Sequence, residues 1–235
     1  MCIRDRIEVG TAVTPIQPRH PAALAQQALS ASALARGRFT LGIGLSHKIV
    51  IEGSLGLSYA QPAKTMREYL QILAPLLRGE GAAFRGDLYS SKIEIVMNAA
   101  VMPVPLIVAA LGPMMLDLAG RYSDGTALWM TGPRTIGQHV VPSIIAGAKA
   151  AIMADAAWQG GAYQEPPEVG LKALARHWAA WGHSQAWWRQ ELFRESGADS
   201  VYEWIENPET YWLSQDADNL LAQATTWQTP DVGDT

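Results

Sequence analysis

Apolar and polar positions fall into alternating blocks over the first 147 residues. Residues 7–13 form a short β-rich run that ends at Thr14-Pro15. Pro15, Pro18 and Pro21 punctuate a loop that carries Arg19 and His20. Residues 22–34, rich in alanine, leucine and glutamine, predict a helix closed by Gly37. Residues 38–43 (RFTLGI) predict the next strand, and 46–60 a glycine-rich loop. In Pro62–Leu77 the side chains Met66, Tyr69, Leu70, Leu73 and Leu77 recur at helical spacing, which predicts an amphipathic helix. Phe84-Arg85-Gly86 and Leu88-Tyr89 suggest a small hairpin-like excursion.

The stretch 106–128, LIVAALGPMMLDLAGRYSDGTAL, carries the most information. Residues 106–110 have the length and flanks of a buried parallel strand. Gly112-Pro113 follows at once, and Pro113 suits the first helical position, where its missing N–H costs nothing. Residues 114–122 then predict a helix with Met114, Met115, Leu118 and Ala119 on its packed side. Asp124-Gly125 turns the chain into a second apolar run, 126–130. The first turn of this unit bares backbone N–H groups at a helix N-terminus, a setting that suits a cofactor phosphate. An ordinary βαβ repeat, with glycine for close packing, has the same pattern. A further helix, 134–146, is entered through Thr131-Gly132-Pro133.

Strand and helix alternate four times. That argues for an α/β fold with a parallel sheet and helical crossovers, in an open sheet or an α/β barrel. Four such units are half of an eight-unit barrel.

Beyond residue 147 the character changes. Helices are expected at 171–180, 185–195 and 219–227, with no strong strand. Eight of the nine tryptophans lie there, and those at 178, 181, 187 and 188 read as packing anchors. The first 147 residues hold 13 basic and 9 acidic side chains; the remainder hold 5 and 13. Such asymmetry hints at separate modules.

The bulk numbers narrow the functional classes. A pI near 5.7 and the lack of a basic stripe argue against nucleic-acid binding. No apolar run is expected to approach the ~18–20 residues of a membrane span. No signal peptide is expected, and with Cys2 the lone cysteine, a reducing cytoplasm is the default setting. No metal site is expected. The opening residues 1–6, MCIRDR, read as the translation of a sequencing adapter rather than as native chain.

Several segments together resemble the luciferase-like flavin- and deazaflavin-dependent oxidoreductases over residues 7–146. VGTAVTP (9–15) is similar to that family's third barrel strand, and 19–47 to its third helix, fourth strand and following loop. MREYLQILAPLLRGE (66–80) with Phe84, Gly86 and Tyr89 is similar to its fourth helix and insertion. AALGPMMLDLAGRYSDG (109–125) is similar to its phosphate-binding turn. The resemblance is greatest to the coenzyme F420-dependent branch, with FMN as the alternative cofactor.

The resemblance implies a partial (β/α)8 barrel that transfers hydride between the cofactor and a small organic substrate. It implies that Ala12, Val13 and Thr14 lie under the ring at a bulge in a strand. Ala110, Leu111, Gly112, Pro113 and Met114 would wrap the phosphate, and Thr131 and Gly132 would finish the pocket. It implies a homodimer in a full-length parent. It names no catalytic acid or base, because the family's first two strands and last two βα units have no counterpart here. His47 reads as a solvated loop histidine. His20, beside Arg19, could stabilise its loop or meet an acidic cofactor tail, and His139 reads as structural.

Residues 147–234 resemble instead the helical cap of α/β-hydrolases related to homoserine O-acetyltransferases. The matching segments are 149–163, 170–197 and 216–234. An acyltransferase fragment is therefore the alternative function. No nucleophile elbow accompanies it: Gly56-Leu57-Ser58-Tyr59-Ala60 lacks the final glycine, and His183-Ser184 has no third partner. Taken together, the two resemblances predict a truncated chimera joined at 144–149, inactive by itself.

Overall fold

The computed structural model describes residues 7–93, 103–181, 192–198 and 215–228. The expectations for residues 1–6, for most of the helix at 185–195, for His183-Ser184 and for the tryptophan side chains at 178, 181, 187 and 188 lie outside what is described.

The chain divides into two compact units: Met1–Leu118 with Thr126–Met130, and Ala119–Gly125 with Thr131–Thr235. In the first, the strands are β1 (Val9–Gly10), β2 (Thr14–Pro15), β3 (Phe39–Gly44), β6 (Leu106–Ala109) and β7 (Gly125–Ala127). They form one sheet in the order β1-β3-β6-β7, with β2 also pairing β3. The β1–β3, β2–β3 and β3–β6 pairs are parallel. The helices between them are α1 (Pro21–Ala35), α2 (Pro62–Leu77) and the start of α3 (Pro113–Tyr122). A two-stranded antiparallel hairpin, β4 (Ala82–Arg85) with β5 (Ser90–Ile93), stands where the excursion is expected.

The core follows the expected stripes. Met66, Tyr69, Leu70, Leu73 and Leu77 of α2 are buried, as are Leu41 and Ile43 of β3 and Leu106 and Val108 of β6. The strand residues follow the two-residue alternation of one sheet face and those of α2 the 3.6-residue helical period.

Several expectations are corrected. The β-run at 7–13 holds only the two-residue β1, and β2 follows it at Thr14–Pro15. The loop at 46–60 contains a π-helical stretch, Ile49–Ser54. Helix α1 makes its left-handed turn at Arg36 (φ 54°), one residue before Gly37. On α3, Leu116 rather than Met114 is buried: Met114 is 68% exposed, because it sits in the first turn, above the sheet end. Strand β7 stops at Ala127, leaving Trp129 and Met130 exposed.

The second unit is helical. A short α4 (Pro133–Thr135), a π-helical stretch (Ile136–Val140) and α5 (Val141–Ala154) form one helical run. It spans Pro133–Ala154, 22 residues, and by length and composition alone could cross a membrane, contrary to the expectation of no such run. Part of it is core: Ala148 and Ile152 pack with Leu171, Leu174 and Ala175 of α6 (Glu168–Trp181) and with Ala217 and Leu220 of α7 (Ala217–Gln228). Asp155 holds the start of α6, accepting from Val169 N–H at 3.0 Å and Gly170 N–H at 3.3 Å. Asp216 caps α7 through Asn219 N–H at 2.8 Å. Residues 144–149, the expected join, lie inside α5.

Candidate functional site

The parallel pairing aligns the C-terminal ends of three strands. Thr14 pairs with Ile43, Pro15 with Gly44, and Ile43 with Val108. The chain therefore leaves the sheet at one end after Pro15, after Gly44 and after Ala109, with residues 12–14 just inside that end, where chemistry gathers in βα folds.

The first segment interrupts its strand. Gly10 pairs with Thr40 but Thr14 with Ile43, so β1–β2 carries one residue more than β3 over the same span. This is a β-bulge. The peptide between Ala12 and Val13 is cis. Glycines on β3 let the bulge press close. A Cβ on Gly44 would stand 2.8 Å from Val13 Cγ2 and 3.2 Å from Ala109 Cβ. Val13 and Ala109 thus meet over Gly44. Gln17, just past β2, donates from Nε2 to Leu45 O at 2.9 Å, and its Oε1 is buried with no hydrogen-bond partner.

The second segment is the turn from β6 into α3. Ala110 is buried, and its N–H is tied to Ala127 O at 3.3 Å. Leu111, Gly112, Pro113 and Met114 are exposed. Gly112 O accepts from Met115 and Leu116 N–H, both at 3.0 Å, which starts the helix. The Met114 N–H lies ahead of that first intrahelical bond, in the orphan position of a helix N-terminus. A Cβ placed on Gly112 meets nothing within 4 Å, so the turn opens onto free space. Thr131 belongs to the second unit; it is half-buried and precedes Gly132, whose carbonyl accepts from Ile136 N–H at 3.0 Å.

The histidines take separate roles. His20 caps α1, its Nδ1 accepting from Ala22 N–H at 3.2 Å, which is the loop-stabilising role. His47 is exposed in the loop after β3, and its carbonyl receives Val50 and Ile51 N–H at 2.9 and 3.0 Å. His139 is exposed on the π-helical stretch, its carbonyl accepting the Ser143 hydroxyl at 2.7 Å. Ser58 occupies an exposed turn, where its Oγ accepts from Ala60 N–H at 3.2 Å. Among the described residues, no three His, Cys, Asp or Glu side chains gather as a metal would require.

Two features escape the sequence reading. Glu68 on α2 is buried and accepts three backbone N–H groups of the hairpin turn: Leu88 at 2.8 Å, Tyr89 at 3.0 Å and Asp87 at 3.3 Å. Burial works to raise its pKa, but those N–H groups, with Lys64 nearby, hold it below the ordinary value. Beside it Tyr69 and Tyr89 meet edge to face at 5.4 Å, and His20 extends the row at 5.9 Å from Tyr89. Burial, with Tyr89 adjacent, pushes the Tyr69 hydroxyl well above the usual phenol range. The helical period marks position 69 as core but says nothing of a carboxylate at 68, whose partners lie some twenty residues on.

A parallel βα arrangement whose strands end together, with helical crossovers between them, is that of a βα-barrel protein. The luciferase-like monooxygenase family matches residues 5–231, and the chain belongs to it. An F420-dependent glucose-6-phosphate dehydrogenase of Beutenbergia cavernae is 37% identical over 125 residues, 52% of this chain and 37% of that protein. A 5,10-methylenetetrahydromethanopterin reductase of Methanolobus tindarius is 32% identical over 172 residues, 73% and 48%. An F420-dependent hydroxymycolic acid dehydrogenase of Mycobacterium tuberculosis is 33% identical over 146 residues, 60% and 40%. The fold is similar to that of the coenzyme F420-dependent tetrahydromethanopterin reductase of Methanopyrus kandleri, with TM-score 0.53 and 24% identity, covering 62% of this chain and 46% of that one. The architecture is therefore a partial (β/α)8 barrel. The chain spans less than half the length of these curated relatives.

Proposed function

We propose that this chain is part of an oxidoreductase that uses coenzyme F420, a deazaflavin, to transfer hydride to or from a small organic substrate. The support is the meeting of Val13, Gly44 and Ala109 beside the open turn at 110–114, in a chain whose relatives are named for F420. The residues present fit such a cofactor. A flat ring needs backbone-lined, shallow ground, which the alanines at 12 and 109 leave. A phosphate needs N–H donors and room, and the Gly112 turn has both. The buried, unpartnered Gln17 Oε1 offers an acceptor at the same strand ends.

In this reading Ala12, Val13 and Thr14 carry the ring, and Ala110, Leu111, Gly112, Pro113 and Met114 hold the phosphate. When bound, the deazaflavin supplies hydride transfer; the protein supplies position and exclusion of water. The apolar Val13 and Ala109 side chains keep the strand ends dry. The reading includes a small-molecule substrate and a cytoplasmic setting, for which the F420-dependent relatives are the support, and a homodimer in the full-length protein. The family match reaches residue 231, through the expected join and the segment that resembles a hydrolase cap. It lends no support to the acyltransferase alternative or to inactivity, and neither is carried forward.

Fluorescence titration of the purified chain with F420 tests the assignment, with FMN as the competing cofactor. Binding of F420 and its loss by about tenfold or more in Gly112→Val are expected, since a branched side chain would fill the approach to the turn. The same deazaflavin without phosphate and tail should bind wild type and variant alike. Preference for FMN, or unchanged F420 affinity in Gly112→Val, would sink the assignment.

A further inference from the structure

Gly42 lies where β3 faces the bulge. On β3, the polar groups of Arg38, Thr40 and Gly44 serve the β1–β2 side. Val9 N–H reaches Arg38 O at 2.9 Å, Thr11 N–H reaches Thr40 O at 3.2 Å, and Ile16 N–H reaches Gly44 O at 3.2 Å. Gly42 is the member of that alternating set which lies opposite the bulge. There the extra residue puts the neighbouring backbone out of step, and the ladder is locally disturbed. Both polar groups of Gly42 are engaged by one side chain. The Thr11 hydroxyl donates to Gly42 O at 2.7 Å and accepts from Gly42 N–H at 2.9 Å. Contact at this point leaves no room for any other residue at 42. A Cβ there would collide with the Thr11 carbonyl oxygen and stand 3.3 Å from Val13 Cγ1.

We propose that Thr11 is the positioning residue of the ring site: its hydroxyl locks the bulge onto β3 and so fixes the backbone of Ala12, Val13 and Thr14 beneath the cofactor. The proposal rests on the F420 reading above. It follows from what a hydroxyl can do. One O–H donor and two lone pairs serve an N–H and a C=O of the same residue at once. Valine has the same shape and neither capacity, so Thr11→Val removes both of these hydrogen bonds from a buried residue. Serine keeps the hydroxyl and loses only a methyl group. A ring face held by backbone must be placed to a fraction of an ångström for hydride transfer, and the bulge is the part of this strand free to shift.

Wild type, Thr11→Ser and Thr11→Val are compared in two measurements. The first is amide hydrogen exchange without ligand. Exchange at Gly42 should quicken at least about tenfold in Thr11→Val and stay near wild type in Thr11→Ser. The second is titration with F420 and with the deazaflavin lacking phosphate and tail, following the absorption spectrum of the bound ring. Thr11→Val should weaken both ligands by about tenfold or more and shift the spectrum, and Thr11→Ser should restore both. This differs from Gly112→Val, which should spare the phosphate-free ring. Thr11→Val that binds both ligands as wild type does, with the same spectrum, overturns the proposal. So does a loss of binding that Thr11→Ser fails to restore. If Thr11→Val does not fold, Thr11→Cys, a weaker donor and acceptor, replaces it and should fall between the other two. A wild-type chain that binds neither ligand overturns the F420 reading itself, and the role of Thr11 in it.

Discussion

Glu68 shows how a single buried carboxylate organises a surface excursion. Its two oxygens receive three N–H groups from the turn between β4 and β5, and Gly86 stands so close that a Cβ there would overlap Phe84 and the Glu68 carboxylate. Its folded pKa is lowered: burial alone would raise it, and the backbone donors outweigh burial. A group with a depressed folded pKa stabilises the protein above its unfolded value, near the ordinary 4.5, and that stability is lost as pH falls through the folded value. Urea denaturation followed from pH 7 down to pH 3 should therefore show stability falling below about pH 4.5. Glu68→Gln should be weaker at pH 7 by ~1–3 kcal/mol, because an amide group faces N–H donors, and part of the acid-side slope should vanish. An unchanged slope in Glu68→Gln would mean that other carboxylates carry it. None of this was legible in the sequence, where position 68 falls between the core positions 66 and 69 and reads as an ordinary helical glutamate.

Elements were far more legible than their ends. Helix α2 runs over Pro62–Leu77 as its apolar period predicts, because five large apolar side chains on one face leave one packing solution. Strand β6 and helix α3 were marked by a short apolar run and by Gly112-Pro113. Ends depend on local dihedral angles, which composition specifies weakly. Helix α1 illustrates this. Gly37 looks like the terminator, yet Arg36 adopts the left-handed conformation first, with Arg36 N–H bonded to Ala33 O at 3.2 Å and Gly37 N–H to Ser32 O at 2.9 Å. That is the Schellman pattern with a side chain at the position glycine favours. Arg36→Gly should raise thermal stability by roughly 0.5–1 kcal/mol, since the exposed arginine is held at a φ that a Cβ disfavours. A lowered melting temperature would show that the arginine side chain contributes more than its backbone costs.

For the whole molecule, the instructive contrast is between a composition boundary and a structural one. Tryptophan content and charge both change near residue 147, and sequence reading therefore places a join at 144–149. By packing, the chain divides after Leu118, Gly125 and Met130. The supposed join falls within α5, where both flanks are committed to packing inside the second unit. A Cβ on Gly120 of α3 would collide with Ile144 O and stand 3.1 Å from Ala148 N. A Cβ on Gly170 of α6 would press on the backbone of Ile152. Residues upstream and downstream of the composition change thus lock onto the same helix, through glycines that permit contact at backbone distance. Composition reports the average character of a segment; it does not report which helix face a distant glycine touches. A protease recognition sequence inserted between residues 146 and 147 should abolish cooperative unfolding of the second unit, seen as loss of the helical circular-dichroism transition. The same insertion beside Gly56, an exposed loop position at φ 65° where a Cβ would meet nothing within 4 Å, should be tolerated. Equal tolerance at both sites would mean that α5 is dispensable to the packing around Gly120 and Gly170, and that the composition boundary is the structural one after all.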